Sequence, residues 1–195
     1  MPLSQLESWT ATGDTKKNCE LQLWDLASAK PFQYLTVFNR CVEPKLLDFR
    51  GRRFNGIVLR VHGGIFGKIG LVQYVGGLRD LLVGSLFSQQ MTFQKRFLAQ
   101  DNDRGESGIN YWPVLGIEAM PMKIYVSSST TTPSKNSLKV DYNVPFNMRI
   151  LQRPIIDEIV EIPNSRIYLG RMFFRLSTWH IPFLWFALER LDSTC

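Results

Sequence analysis

The second half of the chain is a succession of short apolar runs in which every other residue is hydrophobic, each run bounded by turn-forming residues. "LKVDYNV" sets Leu138, Val140 and Tyr142 against Lys139 and Asp141, and "MTFQKRFLA" sets Met91, Phe93, Lys95 and Phe97 on one side. A period of two is that of a strand with one buried face, because successive side chains point to opposite sides of a pleated backbone. "INYWPVLGIEAM", "MKIYVSSS", "IIDEIVEI", "RIYLGRMFFRL" and "PFLWFALERL" continue the series. The polar stretches "DNDRGESG" and "STTTPSKNS" and the tripeptide Pro163-Asn164-Ser165 separate some of them as loops or hairpin tips. A chain of about eight short strands at such spacing is an antiparallel meander, which closes into a barrel or folds into a sandwich.

The first half begins differently. Residues 1–19 are polar and read as a flexible lead, and residues 20–195 as one barrel domain with an N-terminal helical segment. In "CELQLWDLASAKPFQYLTVFNRCVEP" apolar residues recur at three to four, with Pro31 placed for the first turn of a second short helix and Glu43-Pro44 closing it. From Arg52 the period becomes two: Arg53, Asn55, Ile57, Leu59 and Val61 share one face, and Phe54, Gly56, Val58 and Arg60 the other. "GGLRDLLVGSLF" predicts a further short helix.

Charge and cysteines narrow the function classes. The net charge is +6, and residues 1–100 carry all of the excess, centred on Arg50, Arg52, Arg53 and Arg60. Such a patch attracts polyanions, but no nucleic-acid motif accompanies it, and it reads as a charged strand edge that resists edge-to-edge pairing. No nucleic-acid partner is expected. Cys19, Cys41 and Cys195 are odd in number and fit no zinc spacing, so a reducing compartment and no metal are expected. The polar start lacks the apolar stretch of a signal peptide, and no run reaches the length of a membrane-spanning helix. A cytoplasmic protein is the expectation.

No established catalytic motif is present. "VHGGIFGKIG" has neither a Gly-x-Ser-x-Gly partner, nor the Gly-Lys-Ser/Thr ending of a phosphate loop, nor dinucleotide-binding spacing, and reads as glycines in a bent strand. His62 is a candidate acid or base near neutral pH, whereas His180, beside Trp179, reads as structural.

The carboxylates of "IIDEIVEI" are the remaining chemistry. Ile156, Glu158, Val160 and Ile162 share one face, and Ile155, Asp157, Ile159 and Glu161 the other. The first face has fewer charges, so Glu158 is expected inside the barrel. Asp157 or Glu161 is then expected outside, paired with Arg171 or Arg175 on the following strand. A carboxylate inside a barrel needs a cation, a proton or a ligand group to offset its lost hydration; Arg149 and Arg153 are candidates to hold it. Trp112, Tyr125, Tyr142, Phe174 and Trp185 are the aromatics expected to line a ligand cavity.

Laid out in order, "FRGRRFNG", "MTFQKRF", "IIDEIVEI", "YLGRMFFRL" and "LWFALER" resemble the ordered segments of a poorly characterised intracellular group of lipocalin-like (calycin) proteins. The resemblance spans roughly residues 30–192. Gly51 and Gly56 stand one residue farther apart than in that group, and its tryptophan-glycine pair is replaced around Thr92–Gln94. The resemblance implies a mainly β, lipocalin-like antiparallel barrel of about 8–10 strands with short N-terminal helices, binding a small apolar molecule. The expectation is a carrier of a fatty acid, terpenoid, pigment or polyketide. The alternative is a cofactor-independent isomerase or cyclase in which Glu158, Asp157 or His62 moves a proton.

Overall fold

The computed structural model describes residues 26–27, 31–61, 92–113 and 116–191. Helix α1 (Pro31–Arg40) is followed by one 3-10 turn (Leu46–Asp48). Eight strands come next: β1 (Arg53–Val61), β2 (Thr92–Phe97), β3 (Gly108–Trp112), β4 (Ile117–Ser128), β5 (Asn136–Asp141), β6 (Ile155–Glu161), β7 (Ile167–Leu176) and β8 (Trp179–Leu191). Each strand pairs antiparallel with its neighbour in sequence, and β1 pairs with β8, so the sheet is a closed barrel in the order β1 to β8. Closure leaves no edge strand to be blunted. The expected mainly β, lipocalin-like barrel is therefore present, with eight strands, and α1 begins at Pro31 as its sequence predicts. The helix expected at 76–87 lies outside the described residues.

Alternation decides what faces inward. Phe54, Phe93, Phe97, Leu138, Val140, Tyr142, Tyr168, Met172, Phe186 and Leu188 form one buried cluster inside the barrel. Two glycines make room for it. A Cβ on Gly56 would run into the Phe93 ring, and one on Gly170 into the Phe186 ring; each pair is directly cross-strand, so each ring lies over the bare backbone of the adjacent strand.

One end of the barrel is plugged by aromatics. Phe49, just after the 3-10 turn, stacks on Phe54 at 4.7 Å and meets Tyr168 and Phe97 edge-on at 4.9 and 5.4 Å. The inward residues at the other end, Val58, Val61 and Phe174, are only part-buried.

A second apolar cluster lies outside the barrel. Tyr34, Val37, Phe38 and Cys41, from α1 and the residue after it, cover Ile57, Val160, Leu169, Trp185 and Ala187 on the outer faces of β1, β6, β7 and β8. Elsewhere the outer face is polar: Gln94 Nε2 donates to Asn55 Oδ1 at 3.0 Å, and Arg96 pairs with Glu118 at 2.8 Å. Apolar inside with polar outside is the inverse of a transmembrane barrel. Among the described residues no helix is long and apolar enough to cross a membrane.

A bulge in β1 changes the expected faces there. Val58 pairs with Phe186 and Arg60 with Trp185, which leaves Leu59 as the extra residue. Arg60 consequently turns outward and Val61, opposite Leu184, turns inward, the reverse of strict alternation.

Candidate functional site

The barrel interior holds one polar cluster among its aromatics. Lys95 on β2, Asn110 on β3, Tyr142 just beyond β5 and Asp157 on β6 are all buried and all face inward. Lys95 Nζ donates to Tyr142 Oη at 2.5 Å, to Asp157 Oδ2 at 2.9 Å and to Asn110 Oδ1 at 3.2 Å. An ammonium has three hydrogens, so its donors are fully used. Tyr142 Oη also accepts from Asn110 Nδ2 at 3.2 Å and donates to Asp157 Oδ2 at 3.0 Å, which uses its proton and both lone pairs. Asp157 Oδ2 thus receives two charge-assisted or phenolic hydrogen bonds, while Asp157 Oδ1 is buried and accepts none from the described residues.

Aromatic rings surround the ammonium. The centroids of Tyr142, Phe186 and Phe93 lie 5.2, 5.4 and 5.7 Å from Lys95 Nζ, within the range where a ring's negative face attracts a cation. Burial pushes the Lys95 amine down from its ordinary value, against the pull of Asp157. Burial pushes the Asp157 carboxyl up, against Lys95 and Tyr142. The two proton affinities are drawn toward each other, with the Tyr142 hydroxyl bonded to both groups.

The structure reverses the expected placement of the two carboxylates. Asp157 is the inward one, alternating with Ile155 and Ile159 of the inner cluster, and Glu158 shares the outer face with Val160 of the α1-covered cluster. Both faces of β6 are buried, so counting charges per face could not choose between them. Glu158 is buried outside the barrel and bound to Lys139 Nζ, to Ser129 Oγ at 2.9 Å and to the Thr130 N–H at 2.5 Å. Burial pushes its carboxyl up, but the hydrogen bonds of Lys139 and Thr130 outweigh that together and hold it below its ordinary value. Asp157 pairs with neither arginine proposed for it. Arg175 is bound to Asp141 at 2.7 Å, and Arg171 lies over the Phe173 and Trp185 rings at 4.8 and 5.1 Å.

The other expected site residues divide. Tyr142, Trp112 and Phe174 belong to the inner cluster, and Trp112 sits 5.6 Å from Phe93. Tyr125 and Trp185 face out of the barrel: Tyr125 Oη donates to Asp141 Oδ2 at 3.3 Å, and Trp185 packs under Tyr34 and Phe38, both at 5.7 Å. Arg149 and Arg153 stand outside the interior, on the connection between β5 and β6. Arg149 is exposed, and Arg153 donates to the carbonyls of Asn147 and Pro145. His62 lies outside the described residues. Lys95 and Asn110 are the site residues that the sequence reading missed. A lysine alternating with Phe93 and Phe97 on an otherwise apolar face was the available signal, since such a side chain needs a buried partner.

Among the described residues no group of three or more His, Cys, Asp or Glu side chains converges as metal ligands do. No family model matches the chain, and comparisons with curated proteins and with solved structures return no match.

Proposed function

We propose that this barrel binds a small, largely apolar molecule of the fatty-acid, terpenoid, pigment or polyketide kind. Its hydroxyl or other hydrogen-bond donor would meet Asp157 Oδ1. One observation carries the reading: the interior polar cluster is saturated at Lys95 Nζ and Tyr142 Oη but leaves one buried carboxylate oxygen unused. Buried acceptors of that kind are rare without a partner, and a ligand donor supplies one. Among the described residues one end is plugged by Phe49 while Val58, Val61 and Phe174 at the other are only part-buried, which supports an approach from the latter end, and the resemblance to lipocalin-like proteins supports the same reading. The test is native mass spectrometry of the protein purified from its own host, followed by organic extraction. A bound apolar compound carrying a donor group is expected, and Asp157→Asn, which changes the geometry and charge at that oxygen, weakens its retention. A protein that is empty and takes up no apolar fluorescent probe would overturn the proposal.

A second reading has its own observation, the convergence of the Asp157 and Lys95 proton affinities around the Tyr142 hydroxyl. That arrangement suits a cofactor-independent isomerase or cyclase in which Asp157 or Tyr142 moves a proton on an apolar substrate. Under that reading Asp157→Asn abolishes turnover and leaves affinity within about tenfold, roughly 1.4 kcal/mol. A ligand recovered unchanged after incubation with the wild-type protein excludes it for that compound.

A further inference from the structure

The two ends of the barrel differ in chemistry. In an up-and-down meander the β1–β2, β3–β4, β5–β6 and β7–β8 connections lie at one end, and the β2–β3, β4–β5 and β6–β7 connections at the other; the β1–β2 connection, residues 62–91, is outside the described residues. The second end is built mainly from polar connections, Asp101–Glu106, Ser129–Lys135 and Pro163–Arg166, where Leu47 and Leu98 are exposed large apolar side chains among the described residues. Among the described residues the first end is apolar and exposed. Phe146, Met148 and Ile150 on the β5–β6 connection are 73%, 46% and 76% accessible, and Leu176, Trp179 and Ile181 at the β7–β8 hairpin are 59%, 74% and 43%. A group of exposed side chains of this size marks a surface for interaction.

The charges at this end identify the partner. Residues 142–154 contain Arg149 and Arg153 and no carboxylate, and residues 175–182 contain Arg175 and His180 and no carboxylate. The acid beside them, Asp141, is occupied by Arg175 through two hydrogen bonds of 2.7 and 3.2 Å. Among the described residues Arg149 has no carboxylate partner, and Arg153 is held by backbone carbonyls alone. A ring of tryptophan, phenylalanine and aliphatic side chains flanked by unneutralised arginines matches the layered chemistry of an anionic bilayer surface. There, indole and aliphatic groups enter the headgroup boundary and guanidinium groups meet phosphates.

We propose that this end of the barrel docks on anionic lipid membranes through the 145–150 connection and the β7–β8 hairpin. The inference goes beyond the interior site, rests on different residues, and stands or falls independently of whether the barrel holds a ligand. It also presents to the bilayer the end at which Val58, Val61 and Phe174 are part-buried.

The test is co-sedimentation of the full chain with phosphatidylcholine vesicles with and without phosphatidylglycerol, at low and high salt. Binding to the anionic vesicles, weakened by salt, is expected. Two variants on separate segments, Trp179→Ser with Ile181→Ser and Phe146→Ser with Ile150→Ser, should each reduce partitioning by about tenfold or more. Arg149→Gln should reduce it on anionic vesicles alone. Because the substituted side chains are exposed, an unchanged urea midpoint checks that each variant is folded, and having two segments guards against a misfolded one. No vesicle binding by the wild type would overturn the proposal, as would equal binding by both folded variants. Sedimentation equilibrium showing a dimer that the same variants dissociate would overturn it in favour of a second copy. Protection of Trp179 from hydroxyl-radical labelling in the lipid-free monomer would overturn it in favour of the chain's own residues 62–91.

Discussion

Replacing Lys95 with methionine tests the interior cluster most directly. Methionine keeps the length and apolar stem of lysine and removes the charge. The side chains of Lys95 and Asp157 are both 0% exposed and 2.9 Å apart, so the variant leaves a buried carboxylate with only the Tyr142 hydroxyl to hold it. Breaking a buried pair on one side costs about 3–5 kcal/mol. For a domain of this size that lowers Tm by about 6–20 °C. Lys95→Met combined with Asp157→Leu removes both charges and leaves Tyr142 Oη without its acceptor, a loss of about 1–3 kcal/mol. The double variant should thus be more stable than Lys95→Met alone. The pH response has a definite sign. With the cation gone, burial outweighs the remaining Tyr142 hydrogen bond on Asp157, and its folded pKa lies above the unfolded one. The proton is then held in the folded state where the unfolded chain has lost it, so stability is greatest below the ordinary carboxylate value and declines as pH rises through the folded value. Urea unfolding followed by far-ultraviolet circular dichroism, across pH, measures all three. A single variant costing less than about 1 kcal/mol, or a double variant whose loss is the sum of the singles, would refute the claim of a dry, mutually dependent pair.

The remaining predictions concern the walls and the outer face. Gly170→Ala drives a methyl into the Phe186 ring and should cost about 1–3 kcal/mol in urea unfolding, and adding Phe186→Leu should recover part of that if the clash is the cause. Glu158 is held below its ordinary value by Lys139 and Thr130. Its contribution is therefore present above the ordinary glutamate pKa and lost as pH falls through the folded one. Glu158→Gln should flatten that acid limb of stability while leaving ligand retention unchanged, because the side chain lies outside the barrel. Burial pushes the Cys41 thiol up to about 12, so peptide mapping after iodoacetamide at pH 8 should find Cys41 unlabelled in the native protein and labelled after unfolding.

The sequence by itself determined that this chain is an antiparallel meander, with barrel and sandwich both open to it, and which side of strands such as β2 and β5 faces in; closure was decided by the pairing of β1 with β8. Phe93 and Phe97, and Leu138 and Val140, alternate with polar neighbours, and a period of two with one apolar side has only one way to be buried. It also determined where α1 begins, because Pro31 lacks the N–H that an interior helical position would need. Tertiary structure alone decided the parity of β6 and hence the site. Helix α1 covers the outer wall around Val160, so both faces of Ile155–Glu161 are buried and local hydrophobicity carries no sign. Asp157 faces inward because its partner Lys95, 62 residues away, is carried there by the Phe93–Phe97 alternation. Glu158 faces outward because Lys139 stands opposite it on β5. The bulge at Leu59, which turns Arg60 out, depends likewise on the pairing of β1 with β8 when the barrel closes. These are choices between partners far apart in the chain, and they are made only when the strands are brought into register.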